Sequence, residues 1–313
     1  MEAVAWEQAW HEALYGPHGF YRSQEGPVGH FATATHGPTG VLLAEALVRL
    51  AEQHGLTHVV DVGAGRGELL TLLHEANPSL RLTGVDVVGR PSDLPDQVEW
   101  LVSPGGADLP DGLDRLTSAL VVAHEWLDVV PCPVAEVDAQ GVLRLRWVDR
   151  AGAESWGAPL TADALAWSKA HWPAGDPGQR VEVGLTRDLA WAGLLRRIDS
   201  GLAVAVDYGH RRGERPADGT LTAYRSGRQV EPVPDGTCDL TAHVAMDSLD
   251  HTQLLDQRTV LRGLGVNGAP PPHDLARSDP AGYLRALERA GAAAALTAPG
   301  GFGDFLWAFR SVG

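Results

Sequence analysis

Three glycines at alternate positions mark the first candidate site in this chain. The stretch "VVDVGAGRGELL", residues 59–70, places Gly63, Gly65 and Gly67 between an apolar run and a segment with helical apolar spacing. Glycine lacks a Cβ and permits positive φ, so a ligand can approach the backbone closely, and the helix that follows offers free N–H groups. The pattern therefore predicts a strand, a ligand-binding turn and a helix.

The charges around this turn favour a cationic ligand over a phosphate. The dinucleotide fingerprint G-x-G-x-x-G requires a glycine at position 68, where this chain has Glu68. Asp61 adds a second negative charge, which repels phosphate and attracts a cation. S-adenosylmethionine (SAM) carries a sulfonium and an α-amino group and no phosphate. We predict that SAM is the cofactor; a structural turn and an NAD site are the alternatives. The predicted contacts at the turn are Asp61, Gly63, Ala64, Gly65 and Gly67.

A second acid supports this prediction. The next apolar run, "LRLTGVDVVG", ends in Asp86. In open α/β sheets the ligand lies across the carboxyl ends of the strands, where an acid closing the second strand can accept hydrogen bonds from both ribose hydroxyls. The paired acids and the glycine turn together indicate a class I methyltransferase.

The segment "HEWLDVVPC" follows the fourth predicted strand and carries His124, Glu125 and Asp128. A guanidinium is planar and permanently charged, and carboxylates hold it in a bidentate fork, so Glu125 and Asp128 are candidate acceptor-binding acids. His124 and Glu125 are also candidate cofactor contacts. The alternative is structural: Glu125 caps a short helix and Asp128 is a solvated surface acid. The segment lacks the second histidine of H-E-x-x-H, so no metal site is predicted.

Composition restricts the class of protein. The chain has 313 residues, 44% hydrophobic and 21% charged, which is typical of a globular protein with a sizeable core. The formal net charge of −15 argues against nucleic-acid binding. Cys132 and Cys238 are far apart, and no apolar run is long enough for a membrane span. We expect a cytoplasmic protein without nucleic-acid or membrane partners, and a homodimer is left open.

The order of elements predicts an α/β protein with a Rossmann-like, mostly parallel sheet, an antiparallel final strand, an inserted hairpin and helical substrate elements. The predicted hairpin turns at Gln140 and Gly141, and "AAAALTA" and "DFLWAFRSV" are predicted to form a final strand pair. The predicted regions are N-terminal helices with a lid-like loop (1–55), the first half of the core (56–130), the hairpin and helices (131–200), and the second half of the core (201–313) with a long insertion at 209–240.

Several segments in order resemble the MidA-like SAM-dependent methyltransferases, whose mitochondrial members assist respiratory complex I assembly. The matching segments are "YGPHGFY", "HFATAT", "DVGAGRGELL", "HEWLDVVP", "VAVDYG", "GTLTAY", "CDLTAHV" and "GFGDFLWAF". "HEW" is also similar to the "SEW" of protein arginine methyltransferases. Three sites differ from the family pattern: Thr35 and His36 replace Pro-Glu, His124 replaces an Asn, and "RSGRQVEP" lacks the histidine usually found beyond "GTLxxY".

This resemblance implies a class I methyltransferase fold and, by analogy, methylation of an arginine side chain in a partner protein. It places Glu125, Asp128, Asp207, Tyr208 and His243 on the substrate side, with Thr241 close to them. A small-molecule N- or O-methyltransferase and an inactive assembly factor that keeps the fold are the alternatives. A buried structural role is the alternative for His243.

Overall fold

A mixed sheet with helices on both faces forms the centre of the protein. The protein's structure is a computed structural model that describes residues 2–22 and 34–313. In this part of the chain the central sheet has seven strands. In spatial order they are β14 (Gln253–Asp256), β15 (Leu306–Val312), β10 (Gly201–Asp207), β5 (Ala119–His124), β2 (His58–Val62), β3 (Arg81–Asp86) and β4 (Val98–Val102).

The direction of the strands agrees with the predicted class. β15 runs antiparallel to both of its neighbours, β10 and β14, and the remaining pairs are parallel. The chain order reverses between β2 and β5, and such a reversal opens a crevice at the carboxyl ends of the strands. The sheet therefore offers a ligand-binding crevice between β2 and β5.

Both faces of the sheet are buried, which explains the continuous apolar runs in its strands. The helices of the described residues are α1 (Trp6–Tyr15), α2 (Gly37–Gln53), α3 (Glu68–Ala76), α4 (Ala162–His171), α5 (Leu185–Leu195), α6 (Gln257–Gly263), α7 (Leu275–Ser278) and α8 (Pro280–Thr297). On one face of the sheet Leu120 and Val122 pack with α2, α3, α6 and α8, and on the other Val121 and Ala123 pack with α5.

Two smaller sheets cover the crevice side of the core. The first contains the inserted hairpin, and the second lies within residues 222–241. The strands of the first are β1 (Val4–Ala5), β6 (Val134–Val137), β7 (Leu143–Val148), β8 (Glu154–Pro159) and β9 (Arg180–Glu182). Those of the second are β11 (Thr222–Arg225), β12 (Arg228–Val230) and β13 (Asp239–Thr241). The α1 helix packs against both, because Trp10 and Leu14 share a buried cluster with Val134, Val148 and Leu240.

One predicted strand is wrong. "AAAALTA" lies in α8, and the strand that pairs with β15 is β14, from a segment about 50 residues earlier in the chain. Alanine has the highest helix propensity, and a run of four alanines carries no β-branched or aromatic side chain that would favour a strand.

Two other expectations from the sequence concern a lid-like loop and membrane-spanning segments. The lid-like loop prediction falls largely on residues 23–33, outside the described residues. In the described part of the chain, no helix is long and apolar enough to cross a membrane.

Candidate active site

A cavity of about 160 Å³ opens at the carboxyl ends of the parallel strands β2, β3 and β5. Acidic side chains dominate its polar lining. These acids are Asp61, Glu68, Asp86, Glu125, Asp128 and Asp239. Arg66 is the one arginine in the described lining, which also contains His36 and His124. The cavity is therefore suited to a cation more than to an anion.

The glycine turn forms one wall of the cavity. Gly63 follows β2 with φ +79°, and a Cβ there would lie 3.3 Å from the Cβ of Trp126. Gly67 caps α3, also at φ +79°, and its Cβ would lie 2.6 Å from a methyl group of Leu94. Both positions thus require glycine for backbone conformation and for space. The turn exposes its backbone to the cavity, as predicted.

Asp86 is joined to this turn. Its Oδ2 accepts a hydrogen bond from the Gly65 backbone N–H at 2.8 Å, and its Oδ1 accepts one from the Val88 N–H at 3.2 Å. Burial raises the pKa of Asp86 to about 6, although these backbone hydrogen bonds act in the opposite direction. The two hydrogen bonds hold the carboxylate in place at the end of β3, where it can accept ribose hydroxyls.

Asp61 is a carboxyl group without a hydrogen-bonded partner among the described residues. It lies at 3% exposure on β2 and lines the cavity. Burial raises its pKa to about 7, with His124 opposing the shift and Asp86 adding to it. A buried, unpaired carboxylate is stabilised by a bound cation. Together with the bare glycine turn and Asp86, this acid fits the sulfonium and ammonium charges of SAM.

These two acids make cofactor binding dependent on pH. In the free protein, Asp61 and Asp86 become neutral as the pH falls through about 7 and about 6. A bound cation favours their ionised forms, so SAM binding is expected to release protons near pH 6.5 and to strengthen from about pH 5.5 to about pH 7.5. Titration calorimetry in buffers of different ionisation enthalpy measures both effects. The Asp61→Asn variant should lose most of the proton release; an affinity independent of pH in the unmodified protein would contradict this assignment.

The loop after β5 carries the predicted acceptor-binding acids. Glu125 has φ +52°, a conformation that L-residues other than glycine rarely adopt. Its N–H donates to the Val206 carbonyl at 2.9 Å. Asp207 accepts hydrogen bonds from the backbone N–H groups of Leu127 and Asp128 at 3.0 and 3.2 Å. The loop is therefore held by the end of β10, and no helix follows Glu125 for it to cap.

Asp128 is a buried residue, so the alternative of a solvated surface acid is wrong. It is 5% exposed and its Oδ2 accepts a hydrogen bond from the Thr241 hydroxyl at 2.8 Å. Its Oδ1 is buried and has no hydrogen-bond partner among the described residues. Burial, reinforced by the charge of Glu125, raises the pKa of Asp128 to about 6. An unpartnered carboxylate oxygen that lines a cavity indicates a ligand with hydrogen-bond donors.

The structure also places the remaining predicted residues. Asp207, Tyr208 and His243 are absent from the described lining of the cavity. Asp207 is fully buried and binds backbone N–H groups. Tyr208 contacts Phe305, with ring centroids 4.1 Å apart, and stacks on the exposed ring of His243 at 6.0 Å. Burial and the charges of Glu125 and Asp128 raise the pKa of Tyr208. A catalytic role for these three residues stays a prediction.

Sequence reasoning missed three residues of this region. Asp239 and Tyr21 line the cavity, and Arg187 donates hydrogen bonds to four backbone carbonyls behind it. Asp239 belongs to "CDLTAHV", where its position two residues before Thr241 on a strand was a signal that both side chains share one face. No feature of the sequence around Arg187 distinguishes it from a surface arginine.

The comparisons with known proteins agree with this geometry. A family model described as "Putative S-adenosyl-L-methionine-dependent methyltransferase" matches residues 71–263, more than half of the chain. The chain belongs to this family. The protein is thus a SAM-dependent methyltransferase, its cofactor is SAM, and the predicted MidA-like relationship is confirmed.

Two solved structures show the fold of the methyltransferase. The structure of an uncharacterized protein from Burkholderia thailandensis matches with a TM-score of 0.76. Its sequence is 24% identical to this chain, and the match covers 99% of this chain and 87% of that one. A second protein from the same organism, bound to S-adenosyl-homocysteine, matches with a TM-score of 0.74. It is 24% identical to this chain, and the match covers 99% of this chain and 88% of that one. The predicted class I fold is confirmed. No curated protein sequence matches the methyltransferase at a significant level.

Proposed function

We propose that this methyltransferase acts on a nitrogen of an arginine side chain in a partner protein in the cytoplasm. The observation that supports the acceptor class is the buried, unpartnered Oδ1 of Asp128 beside Glu125. A guanidinium presents five N–H donors in a plane and is charged at every physiological pH, so it satisfies carboxylate oxygens without a change in its own charge. The net charge of −15 is compatible with a basic partner.

The residues that line the cavity would have different roles in such a reaction. When bound, SAM would supply an electrophilic methyl group, with its sulfonium S–C bond breaking and S-adenosyl-homocysteine as the leaving group. Gly63, Gly65 and Gly67 provide the close approach of the backbone, and Asp86 provides hydrogen-bond acceptors for ribose hydroxyls. Glu125 and Asp128 would hold the guanidinium and direct one nitrogen toward the methyl group, a contribution of proximity and electrostatics.

One proton has to leave the acceptor nitrogen when its N–C bond forms. Asp128, with a pKa near 6, is placed to receive this proton and to return it to solvent afterwards. The positive charge stays on the methylated guanidinium, so the carboxylates stabilise the acceptor and the product alike.

The test compares peptides that differ in a single side chain. Purified protein is incubated with methyl-labelled SAM and a glycine-rich peptide containing one arginine, one lysine or one citrulline, the neutral isostere of arginine. We expect label in the arginine peptide and none in the citrulline peptide, with the modified nitrogen identified by mass spectrometry. Label on a neutral small molecule but on no peptide would contradict the proposal, as would the absence of any transfer by a protein that binds SAM.

A further inference from the structure

A third carboxylate, Asp239, faces the same cavity from a different part of the chain. It is the first residue of β13, is 3% exposed and lines the cavity. Its Oδ1 accepts a hydrogen bond of 2.6 Å from the hydroxyl of Tyr21. Its Oδ2 has no hydrogen-bond partner within residues 2–22 and 34–313. One oxygen is therefore fixed, and the other is available to a ligand.

The register of β13 places Asp239 beside Asp128. Side chains two residues apart on a strand point to the same face, so Asp239 and Thr241 face the same way. Thr241 donates its hydroxyl hydrogen bond to Asp128. Burial raises the pKa of Asp239 well above its usual value, and the charges of Asp128 and Glu125 add to this shift. The three acids thus form one electrostatic cluster.

Within the described residues only one acid of this cluster has an ion-pair contact: Glu125 lies 3.3 Å from the Nδ1 of His124, an ion pair when that histidine is protonated. No ion pair of the described residues includes Asp128 or Asp239. The guanidinium of Arg187 is directed to the backbone carbonyls of Asp128, Val130, Ala242 and His243. Buried carboxylates without a paired cation are costly, and a bound cation removes that cost. The unpartnered oxygen of Asp128 points independently to a ligand here.

We propose that Asp239, oriented by the Tyr21 hydroxyl, is a third acceptor-binding carboxylate that holds the guanidinium together with Asp128 and Glu125. This inference rests on the proposed function, since it takes the acceptor to be an arginine side chain. The loop after β5 and the strand β13 are distant in sequence. Both would then hold the same guanidinium group. Acids from two directions select a planar cation with donors on more than one edge, which distinguishes arginine from lysine.

The test measures binding without turnover. The protein saturated with S-adenosyl-homocysteine is titrated calorimetrically with Nα-acetyl-arginine-amide and, separately, with its citrulline analogue. We expect Asp239→Asn to weaken binding of the arginine probe by about 10- to 100-fold, because hydrogen bonds to charged groups have that magnitude. Affinity for S-adenosyl-homocysteine should be unchanged, and proton release on binding of the arginine probe should be smaller than in the unmodified protein.

Two further variants keep the test decisive. Tyr21→Phe retains the carboxylate but not its orientation, and it should weaken arginine binding by less than Asp239→Asn does. Asp235→Asn removes an exposed acid of the same segment and should bind the arginine probe as the unmodified protein does. If the unmodified protein binds arginine and Asp239→Asn binds it equally well, only this inference is overturned. If the unmodified protein binds neither probe, the proposed function fails and the inference fails with it.

Discussion

Replacing Glu125 by Gln is expected to lower kcat/KM for methyl transfer by about 10²- to 10³-fold, the range seen when one preorganised electrostatic contact is removed. The substitution keeps the shape of the side chain and removes the charge that faces the acceptor. Asp128→Asn should have a similar effect, because its unpartnered Oδ1 is the oxygen left for the acceptor. Calorimetric affinity of Asp128→Asn for SAM should remain within about threefold of the unmodified protein, since the predicted cofactor contacts do not include Asp128.

A second substitution at the same position separates function from backbone strain. Glu125 lies at φ +52°, where a side chain costs about 1–2 kcal/mol relative to glycine. Glu125→Gly should therefore unfold at equal or higher denaturant concentration than Glu125→Ala, while both variants lose activity. Strained residues that persist in spite of their cost concentrate at functional sites. Full activity of Glu125→Gln would exclude this carboxylate from acceptor binding and would leave Asp128 and Asp239 as the candidates.

The other large effect is expected at Arg187. This residue is 1% exposed, and its guanidinium donates hydrogen bonds of 2.7 to 3.0 Å to four carbonyl oxygens. The guanidinium also lies over the ring of Trp10, 5.5 Å from its centroid. Arg187→Met leaves the carbonyls of Val130, Ala242 and His243 without this donor, while the Asp128 carbonyl keeps a hydrogen bond from the Ala242 N–H at 3.2 Å. Each unsatisfied group costs about 1–3 kcal/mol. We expect the free energy of unfolding to fall by roughly 3–5 kcal/mol in total.

Chemical denaturation measures this loss, with two variants for comparison. Arg187→Lys keeps the charge but a single ammonium cannot reach four carbonyls, so an intermediate loss is expected. Arg196→Met removes an exposed arginine from the end of the same helix and should change stability by less than about 0.5 kcal/mol. Equal stability of Arg187→Met and Arg196→Met would show that the carbonyls find other partners.

Arg187 also explains how the proposed acceptor-binding acids are held in one region of the fold. Its donors bridge the loop after β5, at Asp128 and Val130, and the loop after β13, at Ala242 and His243. Asp128 belongs to the first of these loops, and Asp239 lies on β13, the strand that leads into the second. Arg187 is thus a positioning residue, and a folded Arg187→Lys protein should lose acceptor affinity more than SAM affinity.

The grouping of the candidate cofactor residues in one cavity was predictable from sequence because these residues are local. Gly63, Gly65 and Gly67 are separated by single residues, and Asp61 precedes them on the same strand. Asp86 closes the next strand, and neighbouring parallel strands end at one edge of the sheet. Glycine spacing, strand ends and helix starts are properties of short segments, so this part of the site needs little information about tertiary structure.

The acceptor half depended on contacts that no local pattern encodes. Asp239 lines the same cavity as Asp128, although more than a hundred residues separate them in the chain. Tyr21 reaches Asp239 from the N-terminal region, and Arg187 comes from a helix that lies between the two acids in the chain. The wrong strand prediction for "AAAALTA" also reflects a long-range contact. Only pairing between distant segments identifies β14 as a neighbour of β15. The sequence by itself determined the fold class, the glycine turn and its acids, because strand periodicity and backbone conformation are local. Tertiary structure alone decided which buried carboxylates share a cavity, because burial and charge pairing depend on segments that meet only when the chain has folded.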